Sequence, residues 1–282
     1  MIRRVALLGR ILVNMRLIPL ALILSALTLA TPALAARCGG DFNGFVAAMS
    51  QEAVAAGISQ GVISQALGGV TQDPAVLAFD RRQRGTFNKS FEQYVSTRVG
   101  AGRINIGRQM MQRHAALLAR IEAQFGVPPQ IVVAIWGLES DFGKGDIGRM
   151  PVIRTLATMA HDCRRTELFQ GELLAALRIL QRGDLPLRDL IGAFAGEIGQ
   201  TQFLPSSYIK YGVDFDGNGH VDLRHSVPDV LASTANLLHT SGFKNGAPYG
   251  EGTANFQAMR EWNRSEVYRK TIGLFADRLA GR

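Results

Sequence analysis

The run Ile131-Val-Val-Ala-Ile-Trp-Gly-Leu138 is apolar throughout and stops on one carboxylate, Glu139, just before a glycine-rich turn. Pro128 and Pro129 precede it, where proline opens helices, so the spacing predicts a helix over Pro128–Leu138. A helix without a polar face belongs in a protein interior. An acid at the end of such a run loses hydration, which favours its neutral form and raises its pKa. A glutamic acid held protonated near neutral pH is what general-acid catalysis needs. The alternative is a helix whose polar end reaches solvent, with Glu139 merely exposed.

The rest of the chain limits where such an acid works. Residues 1–35 contain Arg3, Arg4, Arg10 and Arg16, no acidic residue, and small residues at Ala33-Leu34-Ala35. Basic, apolar and small-residue regions in that order read as a secretory signal peptide cleaved near Ala35, starting at Met1 or Met15. An uncleaved membrane anchor is the alternative, because Leu17–Ala36 is uncharged. The expected product is exported and periplasmic. Without the four leader arginines, 27 basic residues face 23 acidic ones, a net charge of +4. That mild excess suits an anionic polymer or envelope surface and does not argue for nucleic acid. Arg81-Arg82-Gln83-Arg84 is read as a solvated face. In an oxidising compartment Cys38 and Cys163 are candidates for one disulfide, with two free thiols as the alternative.

Residues 36–282 carry mostly helical period and little strand-like alternation. Helices are expected at Asp41–Gln51, Gln60–Leu67, Gly107–Phe125, Thr166–Arg182, Leu187–Ile191 and from Val227 or Pro228 to His239. Thr71–Gly107 reads as a looser surface connection. The fold class is mainly α.

Among the motifs, Gly143-Lys-Gly-Asp-Ile-Gly148 matches the dinucleotide pattern formally. Glu139, Asp141 and Asp146 would crowd a pyrophosphate, and Pro151 interrupts the helix that must follow. The glycines instead allow a sharp turn and a close approach to a ligand. Asp214-Phe-Asp216-Gly-Asn218-Gly219-His220 supplies oxygen ligands at loop positions 1, 3 and 5, glycine at 6 and a carbonyl at 7, the first half of a calcium loop. Position 12 is His225, a poor ligand for a hard cation, and Asp229 is placed to close a longer loop. A metal-free Asx-rich turn is the alternative. His161-Asp162-Cys163 lacks the second pair that zinc needs. There is no Gly-x-Ser-x-Gly elbow, and Ser140 has no histidine partner in sequence. Ala195–Tyr208 combines glycines, amides, hydroxyls and the ring of Phe203, groups suited to sugars. It also reads as an ordinary loop into a helix capped by Ser206 or Ser207. Trp262-Asn263-Arg-Ser-Glu-Val-Tyr268 has the same character.

Gly137–Gly143, Gly199–Ser207, Asp214–His220, Trp262–Ser265 and Tyr268 together resemble the exported lytic murein transglycosylases of the B type. The resemblance covers about residues 40–280. It implies a lysozyme-like core over 116–282 with a cation loop at 214–229, preceded by an N-terminal helical part over 36–115. It implies that Glu139 is the catalytic acid/base and that Gln202, Asn263 and Tyr268 line the glycan groove, with Ser140 and Phe203 beside them. It further implies a structural calcium ion on Asp214, Asp216, Asn218, the His220 carbonyl and Asp229, and no organic cofactor. The expected partners are peptidoglycan glycan strands, with cell-wall synthesis or remodelling complexes admitted. Phe142, Leu237 and Trp262 depart from the family's usual residues, and Asp229 comes one residue later than in some relatives.

The family reaction cleaves the bond between N-acetylmuramic acid and N-acetylglucosamine without water. One glutamate serves first as acid and then as base, because the nucleophile is the substrate's own C6 hydroxyl. Asp141, the adjacent carboxylate, is expected to point elsewhere. A hydrolytic muramidase and a non-catalytic glycan-binding module are the alternatives.

Overall fold

The computed structural model describes residues 36–82 and 90–282. The leader expected over 1–35 and Arg84 lie outside these residues. The fold is mainly α: among the described residues the only sheet has two strands. Nor is any described helix long and apolar enough to cross a membrane.

Helix α7 (Pro129–Ser140) is the axis of the molecule, and its residues Ile131–Leu138 are all buried. Such a helix needs neighbours on every side. α5 (Ala101–Arg113), α6 (Ala115–Phe125), α11 (Val227–Thr240) and α13 (Glu266–Leu279) supply them. Each fully buried Ile, Leu or Val contributes about 1.5–3 kcal/mol of transfer free energy, which makes α7 a stiff mount for whatever it carries.

A second layer forms around α8 (Val152–His161) and the long α9 (Thr166–Arg182). α1 (Phe42–Ala55) and α2 (Gln60–Leu67) pack on α9, and α3 (Pro74–Arg82) packs on α8. Asp41 caps α1, its Oδ2 accepting from the Gly44 N–H at 2.7 Å. The Sγ atoms of Cys38 and Cys163 are bonded, with their Cα atoms 5.0 Å apart. This covalent link holds the N-terminal segment against the end of α8.

The described residues between Thr71 and Gly107 are not a loose connection. They contain α3, α4 (Phe91–Arg98) and the start of α5. These helices are short and bury little, so apolar periodicity hardly marks them. α4 starts instead with a reciprocal cap between Ser90 and Gln93. α3 is anchored by charge: buried Asp80 pairs with Arg164 and, at 2.6 Å, with Arg165. Arg81 pairs with Asp162 at 3.4 Å and so is not purely solvated. Gly107–Phe125 is two helices rather than one, broken at His114. Leu187–Asp189 is a single 3-10 turn. α8, α12 (Ala254–Ala258) and α13 have no counterpart among the expected helices, whereas α10 (Pro205–Tyr211) answers the helix read as an alternative after Ala195–Leu204.

Strands β1 (Met150–Pro151) and β2 (Ile191–Gly192) pair antiparallel, Met150 opposite Gly192. The ribbon continues as single bridges, Gly192 with Ile198 and Ile198 with Phe203. It forms a wall beside the C-terminal end of α7.

Candidate active site

Glu139 lies in the last turn of α7, and the chain leaves the helix in an unusual way. Asp141, Phe142 and Gly143 are all left-handed, with φ of 50°, 61° and 77°. Only the glycine adopts this freely; the other two cost about 1–3 kcal/mol each. The turn is held from several sides. The Gly143 N–H donates to Ser140 Oγ at 3.0 Å, and the Gly145 N–H to the Ser140 carbonyl at 2.7 Å. Phe142 is buried edge-on to Trp136, ring centroids 5.6 Å apart. Asp141 accepts from Arg103 Nε at 2.7 Å and points away from Glu139's partners. The helix therefore ends abruptly and leaves Glu139 at its rim.

Ser140 is a correction. Its side chain is buried, closes the turn just described, and is absent from the groove wall. One step along a helix rotates it away from Glu139. The glycines also approach this chain's own atoms closely. A Cβ on Gly143 would stand 2.3 Å from the Gln200 side chain, and one on Gly148 2.0 Å from the Gly192 backbone. Buried Gln200 is a brace that sequence reasoning missed. It accepts from Trp136 Nε1 at 2.9 Å and donates to the Arg224 carbonyl at 2.8 Å, tying α7 to two loops.

A groove of about 450 Å³ runs past Glu139, within the size range of small-ligand clefts. It brings together Gln202, Phe203 and Asn263 with Trp262, Leu237 and Glu197. Gln202 is left-handed, φ 54°, and its Nε2 donates to the Gly199 carbonyl at 2.7 Å. That leaves its carbonyl oxygen as the group with free capacity. Phe203 and Trp262 meet edge to face, centroids 5.4 Å apart, as an apolar corner on which a sugar face can lie. α10 begins at Pro205, not through a Ser206 or Ser207 cap; Ser206 instead bonds Glu172. A larger cleft of about 770 Å³ lies at the opposite end of α7, around Pro128–Gln130, and contains none of these groups.

Two donors converge on one oxygen of Glu139. Tyr268 OH donates to Oε1 at 2.5 Å and Trp262 Nε1 donates to the same atom at 3.1 Å. In a neutral carboxyl group the oxygen receiving two hydrogen bonds is the carbonyl-like one, so the acidic proton resides on Oε2. Burial pushes the Glu139 pKa up; the bonds from Tyr268 and Trp262 and the nearby Arg98 charge oppose this, and Glu197 adds to it. Burial and the Glu139 charge keep the Tyr268 hydroxyl protonated, so toward Glu139 it acts as a donor.

Two neighbours were not foreseen. Tyr94, on α4, faces Tyr268 with ring centroids 6.1 Å apart. It lies in the stretch read as a loose connection. Glu197 shares the groove wall, its pKa raised mainly by burial, and its Oε2 accepts from the Ala195 N–H at 3.0 Å. The signal for it was an acid between Gly196 and Ile198, an apolar setting like that of Glu139.

The acidic loop is a separate construction. Oxygens of Asp214, Asp216 and Asp229 come within 4.8 Å of one another. Asp229, at the start of α11, is fully buried, and its carboxylate accepts from the N–H groups of Phe215 at 2.8 Å and Asp222 at 2.9 Å. Asp214 accepts from Gly217, Asn218 and Gly219, and these bonds hold its pKa below the usual range. Asn218 Oδ1 accepts from the His220 N–H at 2.9 Å. His225 turns aside to Asp222, Nδ1 to Oδ2 3.0 Å. Three carboxylates this close repel one another, and none pairs with a cationic side chain among the described residues. The donor set is all oxygen and fits a hard divalent cation.

The Transglycosylase SLT domain family (SLT_2) matches residues 41–253. The membrane-bound lytic murein transglycosylase B of Escherichia coli K12 is 35% identical over 161 residues, 56% of this chain and 44% of that protein. The match thus spans less than half the length of that relative. SltB3 of Pseudomonas aeruginosa, in complex with NAG-anhNAM-pentapeptide, has a similar structure: TM-score 0.80, 33% identity, 86% of this chain and 80% of that one. So does the Escherichia coli lytic transglycosylase Slt35 in complex with calcium, at TM-score 0.73 and 25% identity, covering 87% of this chain and 96% of that one. The fold is the lysozyme-like one of lytic transglycosylases, with a helix-mounted acid facing a ribbon wall, and the chain belongs to the SLT transglycosylase family.

Proposed function

We propose that this protein is an exported lytic transglycosylase that cuts peptidoglycan strands between N-acetylmuramic acid and N-acetylglucosamine. Glu139 gives the Oε2 proton to the glycosidic oxygen as the C1–O bond breaks. The carboxylate so formed takes the proton of the muramoyl C6 hydroxyl while that oxygen bonds to C1, leaving a 1,6-anhydro end. The Glu139 proton is thereby restored, and no water is consumed. Burial favours the acid in the first half, and the Tyr268 and Trp262 donors stabilise the carboxylate in the second. This pairing of an apolar setting with two donors on one oxygen carries the proposal.

Ordinary glycosidases hydrolyse with a second carboxylate as base or nucleophile. Glu197 is a weak candidate, because burial raises its pKa and one oxygen is engaged by the Ala195 N–H. Family membership, together with SltB3 structures that hold NAG-anhNAM-pentapeptide and NAG-NAM-pentapeptide, favours the same strand as substrate. The bonded Cys38–Cys163 pair agrees with action outside the cytoplasm. Asp214, Asp216, Asn218, the His220 carbonyl and Asp229 would hold calcium, which would neutralise the cluster and pin the loop to α11. Incubation of purified sacculi followed by mass analysis tests the reaction. Saccharide ends lighter by one water are expected; ends at full hydrolytic mass would overturn it.

A further inference from the structure

A second cavity of about 610 Å³ adjoins the groove, and Glu261 lines both. The two spaces share their walls element by element. On the turn between α12 and α13, Trp262 and Asn263 face the groove while Arg260 and Arg264 face the cavity. On α10, Ser207 faces the groove, and Lys210, three residues on, faces the cavity. Three cations therefore line the cavity against one carboxylate, a local excess of +2. None of the three forms an ion pair among the described residues. Lys210 Nζ rests over the Tyr211 ring, 4.7 Å from its centroid, and Tyr211 OH donates to Glu261 Oε1 at 3.2 Å. The Ser241 hydroxyl adds a further polar group to the lining.

A cavity with unpaired cations is ready for an anion, and its place beside the groove says which part of a substrate reaches it. A glycan lying past Glu139 is itself uncharged along its sugar rings. Its negative charges are the carboxylates of the peptides hung from its muramoyl residues, which project sideways from the strand. We propose that Lys210, Arg260 and Arg264 form a subsite for these stem-peptide carboxylates. The enzyme thereby favours strands that still carry their peptides over strands stripped of them. This rests on the strand-cutting function proposed above and adds the chemical class that the groove alone does not select.

The test compares glycan strands bearing stem peptides with the same strands stripped by an amidase. The wild type and the Arg260→Glu/Arg264→Glu variant are assayed on both, with melting temperature as a check on folding. Loss of exposed ion pairs, with repulsion in their place, raises KM for stem-bearing strands about five- to tenfold and leaves kcat unchanged. Activity on stripped strands stays the same. Arg260→Lys/Arg264→Lys restores the preference, and added salt weakens it in the wild type. Equal losses on both substrates, or no loss on either, overturn the subsite while leaving the strand-cutting function intact. Wild-type protein that cuts neither substrate fails the earlier proposal instead.

Discussion

Glu139 and Asp214 are both carboxylic acids close to polar partners, yet their surroundings drive them in opposite directions. Glu139 ends an apolar helix, and burial outweighs its two donors, so its pKa rises. Asp214 sits half-buried in a loop where three backbone N–H groups converge on it, so its pKa falls. In the proposed reaction the first group gives up and retakes a proton. The second is held in its charged form by the bonds it accepts. The residue type does not decide the role; the balance between lost hydration and donated hydrogen bonds does.

The sharpest way to break this contrast is Glu139→Gln. The amide can still accept from Tyr268 and Trp262 but cannot transfer a proton, so turnover of sacculi falls by about 10²–10⁴ or more while strand binding persists. A binding assay beside the turnover assay checks both. The same variant reports on stability. The folded pKa of Glu139 lies above its unfolded value, so its favourable contribution is complete below the unfolded pKa and is lost as pH rises through the folded one. Glu139→Gln therefore melts above the wild type at neutral pH, and the gap closes in acid.

Two smaller changes move the proton in opposite directions. Tyr268→Phe removes a donor to the carboxylate, so turnover falls about tenfold or more. It also raises the Glu139 pKa, which carries the alkaline limb of the pH–activity profile upward. Glu197→Gln removes a repelling charge and carries that limb downward with little loss at the optimum. Limbs that stay fixed in both variants would show that Glu139 does not govern the profile.

The acidic loop bears on stability and leaves turnover at saturating calcium unchanged. A chelator lowers the melting temperature and calcium restores it; at free calcium about 100 times Kd the stabilisation is about 2.7 kcal/mol. Asp229→Asn abolishes the calcium response. An unchanged melting curve would mean that the cluster is stable without metal.

The apolar run made α7 and its terminal acid visible from sequence, because a helix with no polar face has one place to go. The oxygen-rich spacing of Asp214–Asn218 was visible for a similar reason, since its periodicity is local. What stayed hidden depends on partners distant in the chain. Tyr94 reaches the site from α4, a short helix that buries only Val95 and starts from a side-chain cap. Glu197 lies in a loop read for its amides and rings, and its burial arises only once the ribbon folds against α7. Ser140 failed as a groove residue because adjacency in sequence is a rotation of about 100° on a helix.

The Cys38–Cys163 bond spans 125 residues of sequence, and Glu139 lies inside that span. A pull applied to the chain just before Cys38 crosses directly to Cys163 through the sulfur bridge. The intervening polypeptide, with its catalytic helix, is bypassed like a slack loop beside a taut rope. Tension on the N-terminal side thus spares the backbone of α7 and is carried onward by the chain after Cys163, which holds Trp262 and Tyr268.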